Sequence, residues 1–303
     1  MTKIPVGGTL ARTFGFILAE APRLLSVTAI PMAIMWLPSF FLRDQMIAIS
    51  TQVATDDMSG LSEVWPAMLG FYALALLLTA MMVIGIARLA LGLDRSWFYL
   101  SLGAPVWRLL GSILLLIFVF ILGWLAALVV GFVIGFLGTL AGVAALSALL
   151  SLLAAAAVFC GYIYCLVRLT FLLLPVIAAE EKSFALVRAW TLSHGNFWRM
   201  FAITLIILVP LLVLELVFVF SYLFKGLIIP RAPASPEQMA AFEAAMNTRA
   251  AEMMTAFYVN WYITYPLTIL VVAIFYGAAI GAQCFAYRNL TEREDAAVNA
   301  SPP

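Results

Sequence analysis

Ionisable side chains are what this 303-residue chain has least of. Charged residues make up 10% of it, there is one histidine, and there are three cysteines. From 109 to 167 there is no Asp, Glu, Lys or Arg at all. A lone histidine, His194, argues against a metal site built on paired imidazoles, since no second histidine or nearby cysteine can complete it. Cys160, Cys165 and Cys284 form no CxxC and all fall inside apolar windows, so zinc and disulfide frameworks are poor readings and small packing residues the better one. A Gly-rich phosphate loop, a nucleophile–base pair and an HExxH motif are also missing. A net charge of +1 without a basic tract leaves nothing for nucleic acid to bind. No cofactor is expected.

What the chain does have is apolar length. Hydrophobic residues are 65% of it and the mean hydropathy is +1.11. About 20 apolar residues cross the hydrocarbon layer, so the uncharged stretch alone suffices for two crossings and a turn. Six windows, roughly 24–42, 66–87, 109–131, 144–167, 200–223 and 258–287, are predicted to span. Backbone groups in lipid must pair within their own segment, and none of these windows alternates as a barrel strand would, so helices are predicted throughout. Lys and Arg crowd the loops on one side, and only Arg43, Lys225, Arg231 and Arg249 fall on the other. The positive-inside rule then places both termini in the cytoplasm. The first span, not a cleaved leader, is read as the membrane address.

The chain also reads as three copies of one unit. Pro22–Arg23, Pro105–Val106–Trp107–Arg108 and Gly195–Asn196–Phe197–Trp198–Arg199 open the odd spans, and Arg88, Arg168 and Arg288 close the even ones. The predicted fold is therefore an all-α integral membrane protein. Six transmembrane helices form three parallel hairpin repeats, at about 5–90, 91–178 and 179–290, each preceded by a cytoplasmic interfacial amphipathic helix. In 9–18, Thr9 is expected to cap a helix whose Leu10, Phe14, Ile17 and Leu18 form the apolar stripe. In 183–194, Ser183 is expected to cap, Glu180 and Glu181 to favour the helix start, and Gly195 to stop it. Such helices either lie in the headgroup plane as elbows or bind lipid or a partner. The domain ends near 290, with 291–303 expected to be a disordered cytoplasmic tail.

An external insertion at 225–257 lengthens the third unit. Ser235–Pro236–Glu237–Gln238 predicts a capped helix start, and Met239, Phe242, Met246 and Met253 then fall near one face. Gly277 and Gly281 form a GxxxG pair squarely inside a span, where close helix packing is expected.

The segment Arg168, Leu174–Pro175–Val176–Ile177, Glu180, Ala185–Leu186, Arg188, Trp190, Leu192, Gly195–Asn196–Phe197–Trp198–Arg199 resembles the membrane domain associated with glycerophosphoryl diester phosphodiesterases. Related stand-alone bacterial membrane proteins carry the same signature. The resemblance covers about 40 residues well and the first 40 loosely, and it implies a multi-pass protein of a bacterial inner membrane. It does not imply phosphodiester hydrolysis. That chemistry needs a soluble barrel with paired histidines and carboxylate metal ligands, which this sequence lacks.

Candidate site residues are few. Arg23, Arg88, Arg108, Arg168, Arg199 and Arg288 could bind phosphate headgroups as a ring at the cytoplasmic edge, although positive-inside topology also accounts for them. Trp107 and Trp198 fit an interfacial belt. Glu215 is the only ionisable residue well inside a span. It is either a proton, cation or headgroup site, or an acid that snorkels outward or pairs with Lys225. His194 is expected to make a helix-end or headgroup hydrogen bond. The sequence thus points to a non-catalytic membrane protein that organises or binds lipids, another membrane protein or a second copy of itself. A transporter using Glu215 is the alternative.

Overall fold

Every long apolar window becomes a long α-helix, the form in which each backbone donor and acceptor pairs inside its own segment. The computed structural model describes residues 3–41, 61–140, 144–180, 184–223 and 235–299. In order these form α1 (Val6–Ala19), α2 (Ala21–Phe41), α3 (Leu61–Leu91), α4 (Ala104–Leu140) and α5 (Ala144–Thr170), then α6 (Leu173–Ala179), α7 (Ala185–Leu192), α8 (Phe197–Leu223), α9 (Pro236–Val259) and α10 (Trp261–Asn299). There is no strand among the described residues. Five stretches, Leu69–Leu91, Ala104–Phe136, Ala148–Ala179, Phe197–Ser221 and Trp261–Glu292, are long and apolar enough to cross a membrane. The window at 24–42 falls on α2, which passes the same test only together with α1, and the two meet at 76°. The set is compatible with a multi-pass membrane protein.

The protein-facing core gathers around α3, α6 and α10. Ile84, Ile86 and Ala87 of α3 and Ala282, Cys284 and Ala286 of α10 are almost wholly enclosed. Between them lies α6, whose residues 173–178 are all buried, and which packs on α3, α4, α7 and α10. Its sequence explains the role: seven apolar residues, with a proline in the first turn where no intrahelical donor is needed. The sequence pattern, with Arg168 closing a span, predicts a loop there rather than α6. In fact the apolar run carries on past that arginine.

α10 can approach α1 and α2 closely because of its GxxxG pair. A Cβ on Gly277 would lie 2.6 Å from Leu24 Cδ2, and one on Gly281 would lie 3.3 Å from both Phe16 and Thr13. α4 and α5 behave differently. No residue in the most apolar 18-residue window of α4 is buried, and almost none in that of α5. Leu114, Phe118, Trp124, Val129 and Phe132 all point outward. Water would not tolerate a patch of that size, whereas acyl chains cover it at no cost.

Several local expectations need correcting. α1 starts at Pro5 rather than being capped by Thr9, which is buried inside the helix. Its inward face is Thr9, Thr13 and Phe16, while Phe14 and Leu18 of the expected stripe are exposed. No interfacial helix precedes α4: residues 92–103 form a loop. Gly92 takes a positive φ of 72° and Asp94 bonds the Ser96 amide, two features that favour a turn over a helix. The N-cap of α7 is Phe184, and Ser183 and Glu181 lie outside the described residues. Gly195 does end that corner, with φ of 73°. The Ser235–Gln238 capping box forms as the motif predicts. α10 runs to Asn299, so residues 291–299 are helical where a disordered tail was expected. An Arg288–Glu292 pair one turn apart supports that extension.

Candidate functional site: a polar seam at one end of the bundle

The start of α4, the ends of α5, α6 and α10, and the helix α7 meet at one end of the molecule. Their polar side chains tie them together. Arg168, in the last turn of α5, is only 4% exposed. Its Nε donates to Ser193 Oγ (3.0 Å), Nη1 to the Tyr164 hydroxyl (3.0 Å) and Nη2 to the Trp190 carbonyl (2.7 Å). Its Cζ sits 3.7 Å from the Trp190 ring centroid and 5.5 Å from that of Tyr164. No carboxylate is among its described partners. A buried charge is tolerable here because neutral oxygens and aromatic faces replace its water on several sides.

Glu180 is the second node. Its Oε1 accepts from Arg188 Nε (3.1 Å) and from the Tyr287 hydroxyl (3.0 Å). Its main-chain oxygen accepts from Arg108 Nη1 (2.6 Å). One residue thereby joins α4, α6, α7 and α10. From the sequence, Glu180 is expected to favour the start of α7. Instead it is the C-cap of α6, and it reaches α7 through Arg188.

The third node holds the N-terminal segment. Asn196, 2% exposed, accepts from the Ile4 amide at 3.0 Å, and Arg199 Nη1 donates to the Ile4 carbonyl at 2.8 Å. Both main-chain groups of a fully buried residue are therefore satisfied by the α7–α8 corner. Replacing Asn196 with alanine should cost about 1–2 kcal/mol, the penalty for stranding a buried donor. Because Ile4 is enclosed, trypsin should cut after Lys3 slowly in the parent and readily in Asn196→Ala. Equal cleavage would show that the clamp does not hold the segment.

The edge arginines thus do not form a ring of free heads. Arg23 pairs with Glu20 (2.7 Å) and Arg288 with Glu292 (3.3 Å), while Arg108, Arg168 and Arg199 bind as just described. Arg88 is the exception. Its side chain makes no hydrogen bond with any described residue and its Nε is buried, while its main-chain oxygen accepts from the Leu93 and Asp94 amides that start the loop. It lies 6.0 Å from the Tyr99 ring centroid, in a cavity of about 460 Å³ formed with the 92–103 loop. Asp94 lines the same cavity. Hydrogen bonds from the Ser96 amide and hydroxyl hold its carboxyl below the ordinary value, and the Arg88 charge adds to that effect. The loop is pinned from behind. Ser26 Oγ donates to the Trp97 carbonyl, Arg23 lies 5.7 Å from the Trp97 ring centroid, and a Cβ on Gly85 would sit 2.8 Å from Tyr99 Cβ.

The remaining candidates stand apart. Trp107 and Trp198 are exposed, as belt residues would be. His194 is exposed, and its main-chain oxygen accepts from Asn196 Nδ2 at 3.4 Å. Glu215 is exposed on α8 between exposed Leu214 and Leu216, bonded to no described residue. Cys284 is buried as expected of a packing residue, whereas Cys160 is exposed on α5. Among the described residues, no group of three His, Cys, Asp or Glu side chains could hold a metal ion. No family model, curated protein or solved structure matches this chain.

Proposed function

We propose that this chain is a non-catalytic membrane module that binds or organises lipids, a partner membrane protein or further copies of itself. It has six spans in three parallel hairpin repeats, with α1–α2 supplying the first span, and it sits in a bacterial inner membrane with both termini in the cytoplasm. The observation that carries this reading is the division of the molecule into two parts. The polar seam spends nearly all its charged donors on holding helices together. The most apolar stretches of α4 and α5 bury almost no residue inside the protein. A scaffold needs that combination, and a reaction centre does not. The resemblance to the phosphodiesterase-associated membrane domain belongs to the same proposal and carries no hydrolytic activity with it.

Transport along a central path would require Glu215 to face polar groups or water. Its exposed position among leucines on α8 gives that path no lining. Glu215→Gln should therefore leave cellular phenotype unchanged and hold or raise stability by about 1 kcal/mol or more, because it removes a costly charge from a span. Loss of a transported solute with an unchanged melting temperature would restore the transporter. The direct test of the proposed function is purification in nanodiscs followed by mass spectrometry of what remains bound. A stoichiometric lipid or membrane protein supports it, and a single enriched small solute overturns it.

A further inference from the structure

We propose that the cavity between Arg88 and the 92–103 loop is a binding site for the headgroup of a zwitterionic, amine-bearing phospholipid. The lipid phosphate would sit on Arg88 and its ammonium on Asp94. This rests on the lipid-binding reading above and narrows it to one site and one headgroup chemistry.

Three observations converge there. The first is an unsatisfied donor. The Arg88 guanidinium, unlike those of the other five edge arginines, makes no hydrogen bond to a described residue, and its Nε is closed off from solvent without a partner. A buried guanidinium N–H left unpaired is costly, and a phosphate oxygen is the acceptor that a guanidinium fits best. Ser101, in the same cavity wall, offers a second hydroxyl donor bonded to no described residue. The second observation is the charge balance. Asp94 lines the cavity and, as a carboxyl, is ionised at neutral pH. An anionic headgroup would meet this carboxylate and be repelled. A headgroup carrying both charges meets a cation and an anion in the right order. Asp94 Oδ1 already accepts from the Ser96 amide at 2.9 Å, and a carboxylate keeps further lone pairs for an ammonium.

The third observation is where the acyl chains would go. Trp97, Phe98, Leu100 and Leu102 of the same loop are 56%, 59%, 44% and 53% exposed, and Phe98 and Leu100 also line the cavity. Four large apolar side chains at the foot of the α3 and α4 spans suit the depth at which headgroups give way to hydrocarbon. The apolar flank of α4 begins directly beyond them. Because Gly85 lets Tyr99 dock against α3 without a Cβ in the way, the loop is preformed and binding need not order it.

The test uses purified full-length protein in native mass spectrometry, titrated with dioleoyl phosphatidylethanolamine or dioleoyl phosphatidylglycerol. The parent should retain the ethanolamine lipid in preference to the glycerol lipid. Arg88→Gln should weaken the ethanolamine lipid about tenfold, the worth of one charge-assisted hydrogen bond. It should do so with little change in melting temperature, since the Arg88 side chain makes no hydrogen bond to a described residue, its ring contact with Tyr99 is a distant 6.0 Å, and the main-chain bonds to Leu93 and Asp94 survive the change. Ser101→Ala, a small change in an exposed loop, should weaken it less but in the same direction. Asp94→Asn should reverse the preference towards phosphatidylglycerol. Water-soluble glycerophosphoethanolamine should fail to displace the lipid, because it lacks the chains that the apolar rim would cover.

If the parent retains neither lipid, both this site and the lipid-binding reading fall. Should it retain the ethanolamine lipid equally in the parent, Arg88→Gln and Asp94→Asn, lipid binding stands and this site is wrong. Displacement by glycerophosphoethanolamine at comparable concentration would overturn the membrane source of the ligand.

Discussion

Arg168→Ala is expected to destabilise the protein by about 2–3 kcal/mol, the scale set by losing several hydrogen bonds from a charged donor and a close cation–π contact. Opposing effects meet at this position. Deleting the side chain relieves the cost of burying a cation, which is several kcal/mol for an unpaired ion. It also opens a cavity and frees Tyr164 and the Trp190 carbonyl, although Ser193 Oγ still donates to that carbonyl at 2.8 Å. The second set wins because the cation is already well solvated by protein groups. Geometry rather than charge is what counts, so Arg168→Lys should not rescue. An ammonium cannot reach Ser193, Tyr164 and Trp190 at once, nor stack flat on an indole. Arg168→Met, which keeps length without charge, should be milder than either. Melting in detergent of the three variants checks the order. A lysine variant as stable as the parent would show that only the positive charge is needed.

Glu180→Ala should cost about 2–4 kcal/mol, because it removes a shared acceptor from a hydroxyl and a guanidinium at a partly buried node. Glu180→Gln should cost about 1 kcal/mol, since an amide oxygen still accepts from Tyr287 while the charge opposite Arg188 is gone. The Arg108 bond goes to the main-chain oxygen and survives both changes. A double-mutant cycle with Tyr287→Phe isolates the contact, and a coupling of about 1 kcal/mol is expected for neighbours sharing one hydrogen bond. Additive losses would mean that Glu180 acts only through Arg188.

The long helices were legible in the sequence because lipid imposes a single rule, and a window free of charge meets it or does not. The capping box at Ser235 and the close packing at Gly277 and Gly281 were legible because each rests on a few residues at fixed spacing. The seam was not. Arg168 looked like one more edge arginine, and nothing at 168 says that Trp190 and Ser193 will close over it from another helix. Ile4 gave no signal at all, since its role depends on its amide and carbonyl rather than its side chain. The turn at Gly92 and Asp94 was not legible either, because the repeat calls for an interfacial helix there, and the distinct behaviour of Arg88 follows from that loop.

A membrane module of this kind requires the α4–α5 hairpin to face acyl chains. Phospholipids carrying a photoreactive group midway along one chain, incorporated in nanodiscs with the protein, report that contact directly. Adducts mapped by mass spectrometry should concentrate at 114–136 and 148–164, and be absent from Ile84, Ala87, Ala282 and Ala286. Adducts no denser on α4 and α5 than on the enclosed faces of α3 and α10 would contradict it.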